Sequence, residues 1–143
     1  MASRRAIRAF LDCRRIAVVG VSRNPKEFAN TIYHKFKETG HEVVPINPKA
    51  EQLEGDACYP SLGAVPGAVD GVLVLLPAAQ NLAVVQECLA IGVKQVWFLK
   101  PSKMAADVAR RAGMSVVDGA CPHMFLGGGF PHNFHRLFTR LEA

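Results

Sequence analysis

Five short apolar runs, separated by segments with helical spacing, constrain the fold of this chain more than any other feature. The runs are uninterrupted rather than alternating, which is typical of parallel strands covered on both faces of a sheet. They are Ile16–Gly20, Val43–Ile46, Val72–Leu76, Val96–Leu99 and Ser115–Val117. The pattern predicts an α/β protein: a single Rossmann-like, doubly wound, mostly parallel sheet with helices on both faces.

The segments between the runs carry apolar residues on one helical face and end at glycines. In the first, Phe28, Ile32 and Phe36 lie four residues apart, and Gly40 would end the helix. Further stripes occupy residues 82–89, 108–112 and 134–141. We therefore expect three crossover helices and a C-terminal helix.

Between the second and third long runs, Ala57–Tyr59 reads as a short strand and Ser61–Val65 as a single helical turn. Counting that short strand as the third, we expect the strand order 3-2-1-4-5-6. Ligands of such sheets bind beyond the carboxyl ends of the strands, where the order reverses. The rule selects three loops for function: Gly20–Lys26, Asn47–Lys49 and Pro77–Gln80.

Length and charge favour one compact domain with a basic start. The chain has 143 residues and a net charge of +5, and the first fifteen residues hold five arginines against Asp12, hence +4. We expect a basic N-terminal arm or helix over residues 1–15 and the domain over residues 16–143. A solvated helix face is a better explanation of the arginines than nucleic-acid binding. No apolar segment approaches the length of a membrane span, so we expect a cytoplasmic protein without membrane contact.

The four cysteines are widely spaced along the chain and contain no CxxC pair. This does not indicate a structural zinc site, and reduced thiols in a cytoplasmic protein are expected. The combination to test for catalysis is Cys121 with His123, His132 and His135. A strand end followed by a glycine bridge explains that segment better, and we expect neither a catalytic residue nor a metal ligand.

The first loop has the chemistry of an anion site. Gly20 allows a ligand to approach the main chain closely, and the N–H groups at a helix start face a phosphate. Asn24 is the expected N-cap and Pro25 the expected first helical residue. The loop has one glycine rather than the three of G-x-G-x-x-G, which disfavours a dinucleotide oxidoreductase. Ser22 and Arg23 can supply additional phosphate donors instead.

The second loop carries a cation where dehydrogenases carry an acid. An NAD site normally has Asp or Glu near the end of the second strand, to accept hydrogen bonds from the ribose. Here the segment reads Asn47-Pro48-Lys49. Lysine favours a phosphorylated ribose, which NADP carries at the 2′ position and coenzyme A at the 3′ position. Both cofactors stay open at this point.

The third loop is apolar and lacks a hydroxyl or an acid. Leu76 and Pro77 could form a flat wall for an adenine ring. Lys100 follows the fourth long run, at the same edge of the predicted sheet, and could reach a ligand there.

Five short motifs come in an order and spacing that resemble the CoA-binding domain family. They are Gly20-Val21-Ser22, Ile46-Asn47-Pro48-Lys49, Cys58-Tyr59-Pro60-Ser61-Leu62, Val69-Asp70-Gly71 and Leu76-Pro77-Ala78. That family includes small stand-alone proteins and resembles the N-terminal domain of succinyl-CoA synthetase alpha subunits and ADP-forming acyl-CoA synthetases. The resemblance extends from about Ile16 through Cys121.

The resemblance implies a binding role for each loop. Gly20 through Arg23 would hold the diphosphate, Asn47 through Lys49 would flank the adenosine with Lys49 near the 3′-phosphate, and Leu76 and Pro77 would pack on the adenine. With Lys100 added, the expected cofactor-binding residues are Gly20, Val21, Ser22, Arg23, Asn47, Pro48, Lys49, Leu76, Pro77 and Lys100. Leu99-Lys100-Pro101-Ser102 replaces a glycine-containing loop of many relatives, which leaves the pantetheine path open.

We therefore expect a protein that binds coenzyme A or an acyl-CoA through a strand–turn–helix loop, without catalysis of its own. The large ligases of the family have further domains for ATP and a phosphorylated histidine, for which this chain has no room. An NADP-dependent oxidoreductase and a Rossmann-like interaction module are the alternatives. A homodimer or a partner protein stays open.

Overall fold

The computed structural model describes residues 3–126. The expected C-terminal helix over residues 134–141, together with His132 and His135, lies outside the described residues. Five parallel strands form the central sheet: β1 (Arg15–Val19), β2 (Glu42–Ile46), β5 (Gly71–Val74), β6 (Gln95–Phe98) and β7 (Ser115–Asp118). Their order across the sheet is β2-β1-β5-β6-β7. Two short strands, β3 (Gln52–Leu53) and β4 (Asp56–Ala57), pair with each other in an antiparallel hairpin.

Helices cover both faces of the sheet, which confirms the predicted Rossmann-like α/β architecture. They are α1 (Arg4–Leu11), α2 (Phe28–Glu38), α3 (Asn81–Ile91) and α4 (Lys103–Arg111). Successive strand residues point to opposite faces. Accordingly, Val18 packs in one core with α1 and α2, and Val19 packs in the other with α3 and α4. All four residues of β5 are buried, because this central strand is covered on both sides.

The prediction of a third sheet strand over Ala57–Tyr59 is wrong, because this segment forms only an isolated β-bridge with β2. Tyr59 pairs with β2 through Ile46 alone. Its N–H donates to Pro45 O at 3.1 Å, and its carbonyl accepts from Asn47 N at 3.0 Å. The preceding residues are used in the local hairpin instead, whose turn has φ of 55° at Glu54 and 82° at Gly55. Two positive φ angles in a row suit a tight two-residue hairpin, so local pairing replaces a longer edge strand.

The hairpin is held against α2 by polar contacts. Lys37 Nζ donates to Asp56 Oδ2 at 2.7 Å, and the Tyr33 hydroxyl also donates to this carboxylate. Burial would raise the pKa of Asp56, but these two hydrogen bonds outweigh it and lower the pKa below its ordinary value. His34 pairs with Glu54 at the turn. These contacts place the hairpin beside the segment that follows β2.

The basic N-terminal segment contains a helix that packs on the sheet. Ser3 Oγ caps α1 by accepting from Ala6 N at 3.0 Å. Phe10 is fully buried and packs edge-on against Trp97, with ring centroids 5.4 Å apart. The arginine-rich segment thus contributes apolar side chains to the core. Its division from the domain at residues 15 and 16 stays a prediction.

The cysteine thiols of this part of the chain are mostly buried. Cys13, Cys58 and Cys88 are buried and free, and Cys121 is half-buried. Burial raises the pKa of Cys13 and of Cys88 to about 12, so both stay protonated at neutral pH. Within residues 3–126, no group of three His, Cys, Asp or Glu residues could hold a metal ion. None of the helices in this range is long and apolar enough to cross a membrane.

Candidate functional site

An open cavity of about 580 Å³ lies beyond the carboxyl ends of β1, β2 and β5. Its walls come from the segments after β1 and β2, from Pro60 and Ser61, from Leu76 after β5, and from the start of α3. This is the edge at which the sequence predicts three ligand-binding loops. Parallel strands converge here because their carboxyl ends all face the same edge of the sheet.

Most of the predicted binding residues line this cavity. They are Gly20, Val21, Ser22, Asn47, Pro48, Lys49 and Leu76. Three predicted residues, Arg23, Pro77 and Lys100, are exposed and do not line it. The carbonyl of Lys100 accepts a hydrogen bond from the buried Asn81 side chain at 2.9 Å, which ties the loop after β6 to the start of α3.

Sequence reasoning missed the wall that α3 contributes. Gln80, Ala83, Val84 and Glu87 all line the cavity. Their spacing of three and four residues puts them on one helical face, and that spacing is the signal that could have found them. Ser61 also lines the cavity. It belongs to a motif that carried the family resemblance, but the sequence alone gave it no role.

Gly20 is required by the geometry of the first loop. Its φ is +107°, and a Cβ built there would lie 3.1 Å from the Leu75 carbonyl carbon and 3.2 Å from Leu76 N. A side chain would therefore meet main-chain atoms as well as adopt an unfavourable φ. The glycine lets the loops after β1 and β5 approach each other closely at the cavity floor.

The predicted start of α2 is wrong by three residues. The helix begins at Phe28 with Glu27 as its N-cap residue, rather than at Pro25 with Asn24 as N-cap. Asn24 Oδ1 instead accepts from Lys26 N at 3.0 Å. An asparagine oxygen that bonds the main chain two residues on makes a local turn, and this turn competes with a helix cap. The segment between Ser22 and the helix is consequently a turn.

A buried asparagine of α2 fixes the first loop. Asn30 is fully buried, its Oδ1 accepts from Ser22 N at 2.9 Å, and its Nδ2 donates to Ser22 O at 2.8 Å. The Ser22 N–H is therefore occupied. Among residues 3–126, the N–H groups of Val21 and Arg23 have no acceptor, and the Ser22 hydroxyl, which accepts from Asn24 N, keeps its hydrogen for donation.

Asn47 links the second loop to the first. Its Nδ2 donates to Val21 O at 2.9 Å, and its Oδ1 accepts from Lys49 N at 2.8 Å. Both polar groups of the side chain are thus engaged within the protein. The Cys58 thiol donates to Asn47 O at 3.7 Å, and burial raises the pKa of this thiol. Asn47 positions the turn that presents Lys49.

The described lining of the cavity carries two side chains of opposite charge. Among its described lining residues, Lys49 is the one cation and Glu87 the one anion, and there is no histidine or cysteine. Lys49 is exposed and makes no ion pair with another described residue. Such a set can bind an anion beside an apolar wall, but it offers no paired nucleophile and base.

The part of the chain that contains this cavity matches a known protein family. Residues 14–126 match the model of a family described as CoA binding domain. The match includes all five strands of the sheet and every residue named above as lining the cavity.

Individual proteins are similar to this chain at modest sequence identity. The chain is 28% identical over 125 residues to the alpha subunit of ADP-forming acetate–CoA ligase II of Pyrococcus furiosus, covering 78% of this chain and 27% of that subunit. It is 26% identical over 110 residues to YneT of Bacillus subtilis, covering 76% of this chain and 82% of YneT. A solved protein from Pyrococcus horikoshii OT3 is 31% identical with a TM-score of 0.79, covering 88% of this chain and 93% of that one.

Proposed function

Because the chain belongs to the CoA-binding domain family, we propose that it binds coenzyme A or an acyl-CoA in the cavity beyond β1, β2 and β5, without catalysis of its own. The observation that carries this proposal is the position of Lys49 in the turn after β2, beside the first loop. Within residues 3–126, Lys49 has no ion pair and the N–H groups of Val21 and Arg23 have no acceptor. An anionic ligand with a phosphorylated ribose suits that arrangement.

The residues present fit the nucleotide part of coenzyme A. A cavity of about 580 Å³ lies within the range of ligand pockets, roughly 300–1,000 Å³. The N–H groups of Val21 and Arg23 and the Ser22 hydroxyl would bind the diphosphate, and the exposed Arg23 would add a charge from the cavity rim. Leu76 and Val84 would offer an apolar surface to the adenine ring. Lys49 would bind the 3′-phosphate.

Coenzyme A would supply a thiol that carries acyl groups, and the lining residues do not provide chemistry on that thiol. The similar Pyrococcus furiosus protein is an ADP-forming acetate–CoA ligase subunit, and this chain spans 27% of its length. We assign to this chain the binding step alone. Any transfer of the acyl group would require a partner protein or another part of a longer assembly.

NADP is the second candidate, since its 2′-phosphate would also suit Lys49. Titration of the full chain with CoA, 3′-dephospho-CoA and NADPH separates the two, with calorimetry as the readout. We expect binding of CoA and weaker binding of 3′-dephospho-CoA. Tight binding of NADPH with no heat from CoA would overturn the proposal.

The Lys49→Ala variant tests the role of the lysine. A charge-assisted contact contributes about 1.5–3 kcal/mol, so the affinity for CoA should fall by about 10- to 150-fold. The affinity for 3′-dephospho-CoA should change far less. Lys94→Ala is the matched control, because Lys94 lies at the opposite edge of the sheet, just before β6. Equal losses for both ligands in the Lys49 variant would contradict the assignment.

A further inference from the structure

The one acidic side chain among the described lining residues of the cavity has no partner within the described chain. Glu87 lies in the second turn of α3, is exposed, and makes no ion pair or hydrogen bond with another residue of the range 3–126. A carboxylate repels phosphate and can only accept hydrogen bonds. It therefore cannot serve the anionic end of a nucleotide.

Glu87 lies on a different wall of the cavity from the elements that we propose to bind phosphate. The Val21 and Arg23 N–H groups follow β1 and Lys49 follows β2, whereas Glu87 comes from the helix after β5. Ala83 and Val84 lie on the same helical face, one turn before it. An aromatic base that covers these small apolar side chains would bring its edge to the carboxylate.

From this arrangement we propose that Glu87 selects adenine, by accepting a hydrogen bond from the exocyclic amino group of the base. The inference rests on the proposed function, since it assumes a nucleotide in this cavity. Hypoxanthine carries a carbonyl oxygen in place of that amino group, and its lone pairs would face the carboxylate. The same residue would thus attract one purine and repel the other.

Two nucleotides that differ only at positions 6 and N1 of the purine provide the test: adenosine 3′,5′-bisphosphate and inosine 3′,5′-bisphosphate. The full chain should bind the adenosine form about 10-fold or more tightly than the inosine form, measured by calorimetry. In Glu87→Ala the preference should fall to about 1, because the adenosine form loses its hydrogen bond and the inosine form loses the repulsion. In Glu87→Gln it should also fall, but through tighter binding of the inosine form, because an amide can donate to the carbonyl.

A matched control is Glu38→Gln, which removes an exposed carboxylate of α2 outside the cavity and should leave the preference unchanged. Equal binding of the two bisphosphates by the unmodified chain would overturn the role of Glu87 while leaving CoA binding intact. If Glu87→Ala changed the affinity for both bisphosphates by the same factor, the role of Glu87 would likewise be overturned. If neither bisphosphate nor CoA binds, the proposed function and this inference both fail.

Discussion

Replacing Asn30 with alanine would release the first loop of the cavity from α2. In the protein, both polar atoms of this fully buried side chain bond the main chain of Ser22, at 2.9 and 2.8 Å. The variant would leave the N–H and C=O groups of Ser22 without these partners. The turn between Ser22 and Phe28 would then have fewer constraints, because its other described hydrogen bonds, such as those from Asn24 N to Ser22 Oγ and from Lys26 N to Asn24 Oδ1, are local.

The expected loss can be worked from the two hydrogen bonds. Each intramolecular bond contributes about 0.5–1.5 kcal/mol net, and a polar group left unpaired costs about 1–3 kcal/mol when water cannot reach it. Since Ser22 is half-buried beside an open cavity, water can replace part of the loss. We expect the free energy of unfolding to fall by about 1–3 kcal/mol.

Urea unfolding followed by Trp97 fluorescence measures that change, with Thr31→Ala as the control on the exposed face of the same helix. Surface changes of this kind alter stability by less than about 0.5 kcal/mol. CoA affinity should fall in Asn30→Ala, since the loop that would hold the diphosphate loses its support. Unchanged stability and unchanged CoA affinity in that variant would refute the positioning role of Asn30.

Two further predictions concern the cavity floor and the hairpin. Gly20→Ala should destabilise the fold by more than about 1 kcal/mol in urea unfolding, because of its positive φ and the main-chain atoms near the new Cβ; wild-type stability would contradict this. The lowered pKa of Asp56 contributes stability that is complete above the ordinary carboxyl pKa and is lost as pH falls through the lower folded value. In Asp56→Asn the free energy of unfolding should therefore depend less steeply on pH below about 4. The same pH dependence as in the unmodified chain would refute the Lys37 and Tyr33 contacts as the source of that stability.

The strands and the position of the cavity follow from local patterns. An apolar run such as that of β5 can satisfy both of its faces only inside a covered sheet, so the sequence predicts a buried parallel strand. Gly20 and Lys49 were found in the same way, from the residue types that follow two such runs. Turn and strand signals of this kind involve neighbours in the chain, which a sequence displays directly.

The edge strand and the start of α2 were predicted wrongly where two local structures compete. Ala57–Tyr59 has the residue types of a strand, but the positive φ angles at Glu54 and Gly55 favour a hairpin. Asn24 has the chemistry of a helix cap, yet its oxygen bonds the nearer Lys26 N–H. In both cases the sequence allows either outcome, and small differences in local geometry decide.

By itself, then, the sequence determined the α/β class, the edge of the sheet that carries the cavity, and Lys49 as the cation among its described lining residues. Only the tertiary structure decided that Asn30 and Asn47 hydrogen-bond the first loop, that Arg23, Pro77 and Lys100 do not line the cavity, and that α3 supplies its acidic wall. The physical reason is distance along the chain. Asn47 and Val21 are 26 residues apart, with α2 and β2 between them. They meet only when β1 and β2 have been aligned in the sheet, and no local propensity specifies that meeting.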